Sequence, residues 1–165
     1  MKRIIIMFLM ATLVLICAGA AGIRENADTW ETGTGGNMSN ASDLINKEWK
    51  LIEVYIGGIK TKFTRNGLPD QPNTLFTINF DGKTVYGIGA PNRYSAPYKT
   101  ENNQNISIMM MRSTLMASIF EPENLTEHDF YAYVKNSYSW RIINSQLELI
   151  TKTEDGREAR LVFAL

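Results

Sequence analysis

The side chains that most often carry chemistry are few in this sequence. One histidine, His128, and one cysteine, Cys17, are present among 165 residues. The densest group of ionisable side chains lies around the histidine and consists of Glu121, Glu123, Glu127 and Asp129. Such carboxylates can bind Ca²⁺ weakly. Acidic residues also collect at the solvated first turn of a helix, and we favour that second interpretation here.

No spacing in the sequence matches a catalytic motif. It lacks a Gly-x-Ser-x-Gly turn, a phosphate-binding glycine loop and a His-Glu-x-x-His pair. A zinc site would need carboxylates for most of its ligands, which is uncommon. His128 is flanked by acidic residues at a predicted helix start, so we expect it at the surface rather than acting as a base. The sequence therefore predicts no enzyme activity, no cofactor and no metal site.

The charge balance argues against a nucleic-acid partner. Lysine and arginine number 17, and aspartate and glutamate also number 17. Loss of Lys2 and Arg3 with an N-terminal leader would leave 15 basic residues and a net charge of −2. Binding to phosphates needs a surplus of cations, and this chain has none.

Residues 1–21 have the order of a secretory signal peptide. Lys2 and Arg3 precede an apolar run at residues 4–16, and small residues follow it. The run is shorter than the roughly 20 residues that span a bilayer, so a cleaved leader is favoured over a permanent anchor. The sequence therefore predicts export to the bacterial cell envelope.

Two cleavage sites remain open. Small residues at 18–20 suit ordinary signal peptidase, which would release a periplasmic protein. Residues 14–17 resemble a lipobox, in which Cys17 would be acylated and the protein anchored to a membrane. Ile16 departs from the small residue usual at its position. A polar segment, residues 22–43, follows as a flexible linker, and the domain occupies residues 44–165.

Runs of apolar residues, and runs in which apolar and polar residues alternate, predict about eight strands in the domain. They lie at residues 49–56, 59–63, 74–80, 84–89, 106–111, 139–143, 146–151 and 160–165. The best helix is residues 122–136, with Thr126 as a cap and Phe130 and Val134 one turn apart. Short links between strands predict a β-rich α+β fold. Its antiparallel sheet curls into a partial barrel, with one or two short helices packed against it.

A segment rich in glycine and tyrosine, residues 86–98, is the most distinctive motif; its notable residues are Gly87, Gly89, Asn92, Tyr94 and Tyr98. Glycines permit a close backbone approach, and an asparagine can hold a tight loop. We favour a structural role for this segment, with Met109, Met110, Met111 and Met116 as adaptable core residues. The rival interpretation is a methionine and aromatic surface that accepts a ligand.

These motifs resemble the META domain family, which includes HslJ-like bacterial envelope proteins. The likeness rests on residues 86–98, the segment Ser113–Ser118, an acidic helix start with Phe130, and closing strands around Trp140, Leu147 and Leu161. It spans residues 44–165. Many relatives carry cysteines where this chain has Ala90 and Ser118, and Pro91 is inserted before Asn92. The resemblance therefore implies a lost cysteine pair and an altered local backbone.

Together with this resemblance, the sequence predicts a monomeric, non-enzymatic binding or structural module, involved in envelope integrity or stress, that contacts an envelope protein or a membrane surface. The alternative is a lipocalin-like carrier of a small apolar ligand inside the barrel. An internal apolar cavity would favour the carrier. A filled core with an exposed apolar patch would favour the binding module.

Overall fold

The computed structural model describes residues 40–63, 75–102, 104–117 and 121–165. All of them belong to one compact unit, Gly35–Leu165. The predictions for the leader, for Cys17 and for nearly all of the linker concern residues 1–39, which lie outside the described residues.

The described residues form ten strands and one α-helix. The strands are β1 (Glu48–Ile56), β2 (Ile59–Lys62), β3 (Thr77–Phe80), β4 (Thr84–Ile88), β5 (Arg93–Glu101), β6 (Asn105–Ile108), β7 (Arg112–Ser113), β8 (Ser139–Ile143), β9 (Gln146–Lys152) and β10 (Glu158–Ala164). The helix is α1 (Glu127–Lys135), and short 3₁₀ turns occupy Ala41–Asp43 and Pro122–Asn124. The strand at β5 was not predicted, because Pro97 and small polar residues hide the alternation of Tyr94, Ala96 and Tyr98.

Eight of these strands close into an antiparallel barrel. Their order around the ring is β1-β3-β4-β5-β6-β8-β9-β10, and β10 pairs with β1 to complete it. β2 extends one edge of β1, and β7 pairs with β5. The predicted curled antiparallel sheet is thus confirmed. The ring is in fact complete, because the first and last strands of the domain bond to each other.

A bulge in β1 keeps apolar side chains pointing inward along the whole strand. The register with β10 shifts between Leu51 and Glu53, so the inward positions change from Trp49 and Leu51 to Val54. An extra residue in one strand bends it and increases its twist. This bend helps β1 to pair with β3 at its start and β2 at its end, on one edge, while β10 occupies the other.

Helix α1 packs its apolar side against the core. Thr126 caps it, with its hydroxyl accepting a hydrogen bond from the Asp129 N–H at 3.0 Å. Phe130 and Val134 are buried, and the Phe130 ring lies 4.9 Å from the Phe76 ring. The predicted cap and buried positions are confirmed. The helix begins later than predicted because residue Glu123 has a φ of +55° within the preceding 3₁₀ turn.

The segment after β6 differs from the sequence prediction. β6 ends at Ile108, so the methionines that follow it do not continue the strand. Thr77, predicted opposite the apolar face of β3, is buried instead, and its hydroxyl accepts a hydrogen bond from the Ile88 N–H at 3.1 Å. Within the described part of the chain, none of the helices has the length and apolar character needed to span a membrane.

Truncating Phe130 should destabilise the domain strongly. Phe130→Ala would leave a cavity between α1 and the barrel, and such changes cost about 3–5 kcal/mol. Urea denaturation measures the free energy of unfolding. His128→Ala on the same helix is the matched control, since its side chain is 83% exposed and little should change. Equal unfolding energies for the two variants would contradict this packing.

Candidate functional site

The turn between β4 and β5 is held by backbone and side-chain hydrogen bonds. The Gly89 N–H donates to the Asn92 carbonyl at 2.7 Å, and the Phe76 N–H donates to the Gly89 carbonyl at 3.0 Å. The Ala90–Pro91 peptide is cis. The turn therefore carries Asn92 inward at a defined position, where 3% of its surface remains exposed.

The amide of Asn92 joins this turn to two distant segments. Its Nδ2 donates to the Met116 carbonyl at 2.8 Å and to Glu127 Oε2 at 2.7 Å. Its Oδ1 accepts from Thr114 Oγ1 at 2.8 Å and from the Met116 N–H at 2.7 Å. Both donors and both acceptor positions of the amide are therefore occupied. We call the network of Asn92, Thr114, Met116 and Glu127, together with Ala90 and Tyr131, the Asn92 hub.

Glu127 binds the turn from the first turn of helix α1. Its Oε1 accepts hydrogen bonds from the N–H groups of Ala90 and Asn92, both at 2.6 Å. A carboxylate that accepts several N–H groups makes short, charge-assisted bonds. The Glu127 side chain thus attaches the helix to the barrel by polar contacts, beside the apolar contact that Phe130 makes.

Tyr131 adds a further hydrogen bond to the hub. Its hydroxyl donates to the Asn92 carbonyl at 2.8 Å. Burial raises the pKa of Tyr131 far above its ordinary value, and the negative charge of Glu127 raises that pKa further. Loss of the proton would place two negative charges side by side in a desolvated position. The hydroxyl therefore remains a hydrogen-bond donor.

Both glycines of the motif lie where a side chain would collide. A Cβ on Gly89 would be 2.6 Å from both Glu127 Oε1 and the Tyr131 hydroxyl oxygen. A Cβ on Gly87 would be 2.0 Å from the Thr77 carbonyl oxygen. Tyr94, paired with Gly87 across β4 and β5, uses the vacant space and donates to that same carbonyl at 2.9 Å.

Four of the five motif residues are thus brought together. Gly87, Gly89, Asn92 and Tyr94 surround the β4–β5 turn. Tyr98 lies apart, with its ring 5.0 Å from that of Phe80 inside the barrel. The candidate acylation site, Cys17, and the motif residue Ser118 lie outside the described residues, and Ala90 is buried.

The acidic group around His128 divides into separate roles. Glu121 and Glu123 are exposed, as expected of a solvated helix start, and Asp129 participates in the helix cap. The interpretation as a solvated helix start is wrong for Glu127, because its carboxylate accepts hydrogen bonds from Ala90 and Asn92. Across residues 40–63, 75–102, 104–117 and 121–165, no group of three or more His, Cys, Asp or Glu residues is arranged to hold a metal ion.

Sequence reasoning missed Glu127, Tyr131 and Thr114 as partners of Asn92. The available signal was the joint occurrence of the two motif segments and an acidic helix start. The presence of these segments indicates that they matter, but it does not predict which residues contact each other. Tyr131 is 39 residues from Asn92 along the chain, and Thr114 is 22 residues from it.

A groove of about 450 Å³ lies on the outer face of the barrel beside the hub. We call it the outer groove; it is lined by Tyr86, Gly87, Arg93, Tyr94, Ser95, Arg112, Ser113 and Thr114. Tyr86 and Arg112 lie directly across from Ser95 on its two neighbouring strands. Directly opposed residues in a sheet have touching side chains, so β4, β5 and β7 present a row of polar and aromatic groups.

The segment at residues 109–117, which we call the strap, carries apolar side chains into solvent. Met110 is 78% exposed, Leu115 is 96% exposed and Met116 is 56% exposed. The prediction that the methionines fill the core is therefore wrong for Met109, Met110 and Met116, all of which are exposed, and it holds for Met111, which packs against the core. The reason is that within the strap only Arg112–Ser113 form a strand, which pairs with β5. The rest of the strap is attached by single hydrogen bonds, such as that from the Met109 N–H to the Pro97 carbonyl.

Comparison with known proteins places most of the chain in one family. The sequence model of the META domain matches residues 42–164. Laccase-13 of Arabidopsis thaliana is 23% identical over 115 residues, or 70% of this chain, but the chain spans only 18% of that protein. The NMR structure of a protein from Burkholderia xenovorans has a TM-score of 0.49 and 15% identity, over 73% of this chain and 83% of that one.

Removing the Asn92 amide should destabilise the domain. Asn92→Ala removes the side-chain donor to Glu127 Oε2 and leaves the Met116 N–H and carbonyl without their partners, which we expect to cost roughly 2–4 kcal/mol. Asn79→Ala is the matched control, because its amide makes one long hydrogen bond of 3.5 Å. Chemical denaturation of both variants provides the comparison. A loss below about 1 kcal/mol for Asn92→Ala would exclude a stabilising hub.

The close approach of Glu127 to Gly89 should make the effects of substitutions at these two residues on the free energy of unfolding non-additive. Gly89→Ala forces the carboxylate to move and should cost about 1–3 kcal/mol. In a Glu127→Ala background part of that collision is absent. The double variant should therefore lose less stability than the sum of the single variants, by about 0.5–3 kcal/mol. Additive losses in a thermal or urea cycle would contradict the contact.

Proposed function

Because the chain belongs to the META domain family, we propose that it is a non-enzymatic binding module of the bacterial cell envelope. Residues 1–21 direct its export, and the domain works in the periplasm or at a membrane to which Cys17 anchors it. Its partner is an envelope protein or a membrane surface, and the domain meets that partner as a monomer through the strap and the outer groove.

The exposure of the strap is the observation that supports this proposal best. Met110, Leu115 and Met116 extend into solvent beside the outer groove. Several large apolar side chains exposed within one short segment favour an interaction site. Methionine suits such a role, since its unbranched thioether adapts to partners of different shape.

The lack of enzyme activity is supported by how the ionisable groups are used. The Glu127 carboxylate accepts hydrogen bonds from the hub, and His128 lies in solvent. Burial raises the pKa of Tyr94 and of Tyr131 well above the ordinary value. Their hydroxyls therefore stay protonated and serve as structural donors rather than as bases.

The carrier remains the alternative function, and the core argues against it. Trp49, Phe80, Trp140 and Phe163 are fully buried and belong to one apolar cluster. The interior of an eight-stranded barrel is just wide enough for side chains to fill it or for one small ligand to enter. A ligand inside this barrel would have to displace such side chains, which favours the outer face as the place of binding.

Native mass spectrometry of the protein purified from bacterial envelopes tests the proposal. We expect a mass that lacks the leader, either with acyl groups on Cys17 or with an ordinary signal-peptidase terminus. We also expect the strap variant Leu115→Ser to retain no apolar small molecule. A mass that retains Met1 would exclude export by cleavage. A bound apolar ligand that persists in Leu115→Ser, on the strap, would favour the carrier instead.

A further inference from the structure

Two arginines share the outer groove. Arg93 and Arg112 both line it, and none of the described residues that line it carries a carboxylate. Arg112 pairs with Ser95, two residues along β5 from Arg93. The arginines are therefore diagonal neighbours on one face, at a typical separation of about 7–8 Å. Among the residues that the structure describes, neither guanidinium forms an ion pair.

This arrangement favours an oxyanion between the two guanidinium groups. Like charges at neighbouring sheet positions repel, and a bound anion would turn that repulsion into attraction. Arginine matches phosphate particularly well, because its planar donors form two parallel hydrogen bonds. Ser95 and Ser113 add hydroxyl donors to the groove, and Tyr86 adds an aromatic ring. The groove thus has the groups that bind a phosphate monoester or diester.

The strap adds an apolar component that a free anion would not use. Leu115 follows the groove residue Thr114 directly, and Met110 precedes Arg112 by two residues. Both side chains are largely exposed. Apolar side chains beside a cationic site are typical of surfaces that enter the interface of an anionic membrane. The phosphate would meet the arginines, and the acyl region would receive the methionine and leucine side chains.

The Asn92 hub holds the strap in position for this contact. Asn92 binds both the N–H and the carbonyl of Met116, and its Oδ1 accepts from Thr114. Thr114 also bonds to the backbone of Arg93 through its own N–H and its hydroxyl. The apolar side chains and one of the arginines are therefore carried on backbone that is already ordered, which lowers the entropy cost of binding.

We propose that the outer groove and the strap together bind the phosphate headgroup and proximal acyl chain of an anionic phospholipid at a membrane surface. This inference rests on the proposed function, because it assigns the chemistry of the partner to the same outer face. It needs no acylation at Cys17. If Cys17 is acylated, the anchor would keep the domain near such a surface and add to this weaker contact.

Methyl NMR of methionine-labelled protein, in the form that expressing cells produce, tests the inference. The probes are three soluble compounds: monomeric dihexanoyl phosphatidylglycerol, monomeric dihexanoyl phosphatidylcholine and glycerol phosphate. We expect the anionic lipid to shift the methyl signals of Met110 and Met116. The zwitterionic lipid should bind much more weakly, because its headgroup carries no net charge.

Matched variants separate the charged contribution from the apolar one. Arg93→Gln with Arg112→Gln should lower the affinity for the anionic lipid about tenfold or more, and Lys99→Gln, at an exposed position on β5, should not. Met110→Ser with Leu115→Ser should lower the affinity for the lipid but not for glycerol phosphate. Ile59→Ser, which removes another exposed apolar side chain, should leave both affinities unchanged. Thermal melts confirm that each variant is folded.

Three outcomes would overturn the inference. Equal binding of glycerol phosphate and anionic lipid would reveal a site for free phosphate. Equal binding of both lipids would mean that the arginines do not select the headgroup. If neither lipid binds, the membrane surface is excluded as the partner. A loss of contact between the strap variants and a defined envelope protein would then identify a protein as the partner. That last result would still leave the proposed binding module intact.

Discussion

The side-chain amide of Asn92 is the contact on which the arrangement of this domain depends. It bonds at once to the strap and to helix α1, and its backbone bonds to Glu127 and Tyr131. Every polar atom of the residue has a partner in a buried position. Polar networks of this kind are rigid when complete and costly when one member is lost. Asn92 therefore links the barrel, the helix and the strap at one point, beside the apolar contact of Phe130 with Phe76 and the pairing of β7 with β5.

The glycines of the motif follow from the same constraint. Glu127 can reach the N–H groups of Ala90 and Asn92 only because Gly89 has no side chain in its path. Gly87 leaves the space beside the Thr77 carbonyl that the Tyr94 ring occupies. A motif that looks like a flexible loop in the sequence is thus a tightly packed contact between the β4–β5 turn and helix α1. Its glycines serve close packing through the absence of a side chain.

Closure of the barrel directs binding to its outside. The pairing of β1 with β10 leaves neither strand as a free edge at that seam, and large aromatic side chains occupy the interior. A close-packed interior tolerates little insertion. The outer groove and the strap, by contrast, combine two arginines with exposed methionine and leucine side chains. The rigid inner layer therefore supports an adaptable outer surface, and the hub links the two.

Local patterns in the sequence were sufficient for the elements that depend on neighbouring residues. Inward alternation identified most strands, such as β3 with Ile78 and Phe80, and the cap at Thr126 with Phe130 and Val134 identified the helix. These signals lie within one strand or a few turns of chain. β5 was missed because Pro97 interrupts its pattern, although β6 and β7 supply its hydrogen-bond partners along one edge.

The sequence by itself determined a β-rich domain with one capped helix, because periodicity and capping are properties of adjacent residues. It also provided the family resemblance. Only the tertiary structure decided that Glu127 belongs to the hub, that the strap lies outside the core, and that Arg93 and Arg112 share one groove. The physical reason is distance along the chain. Glu127 lies 35 residues from Asn92, so the contact exists only once the barrel has closed and placed the helix against its turn.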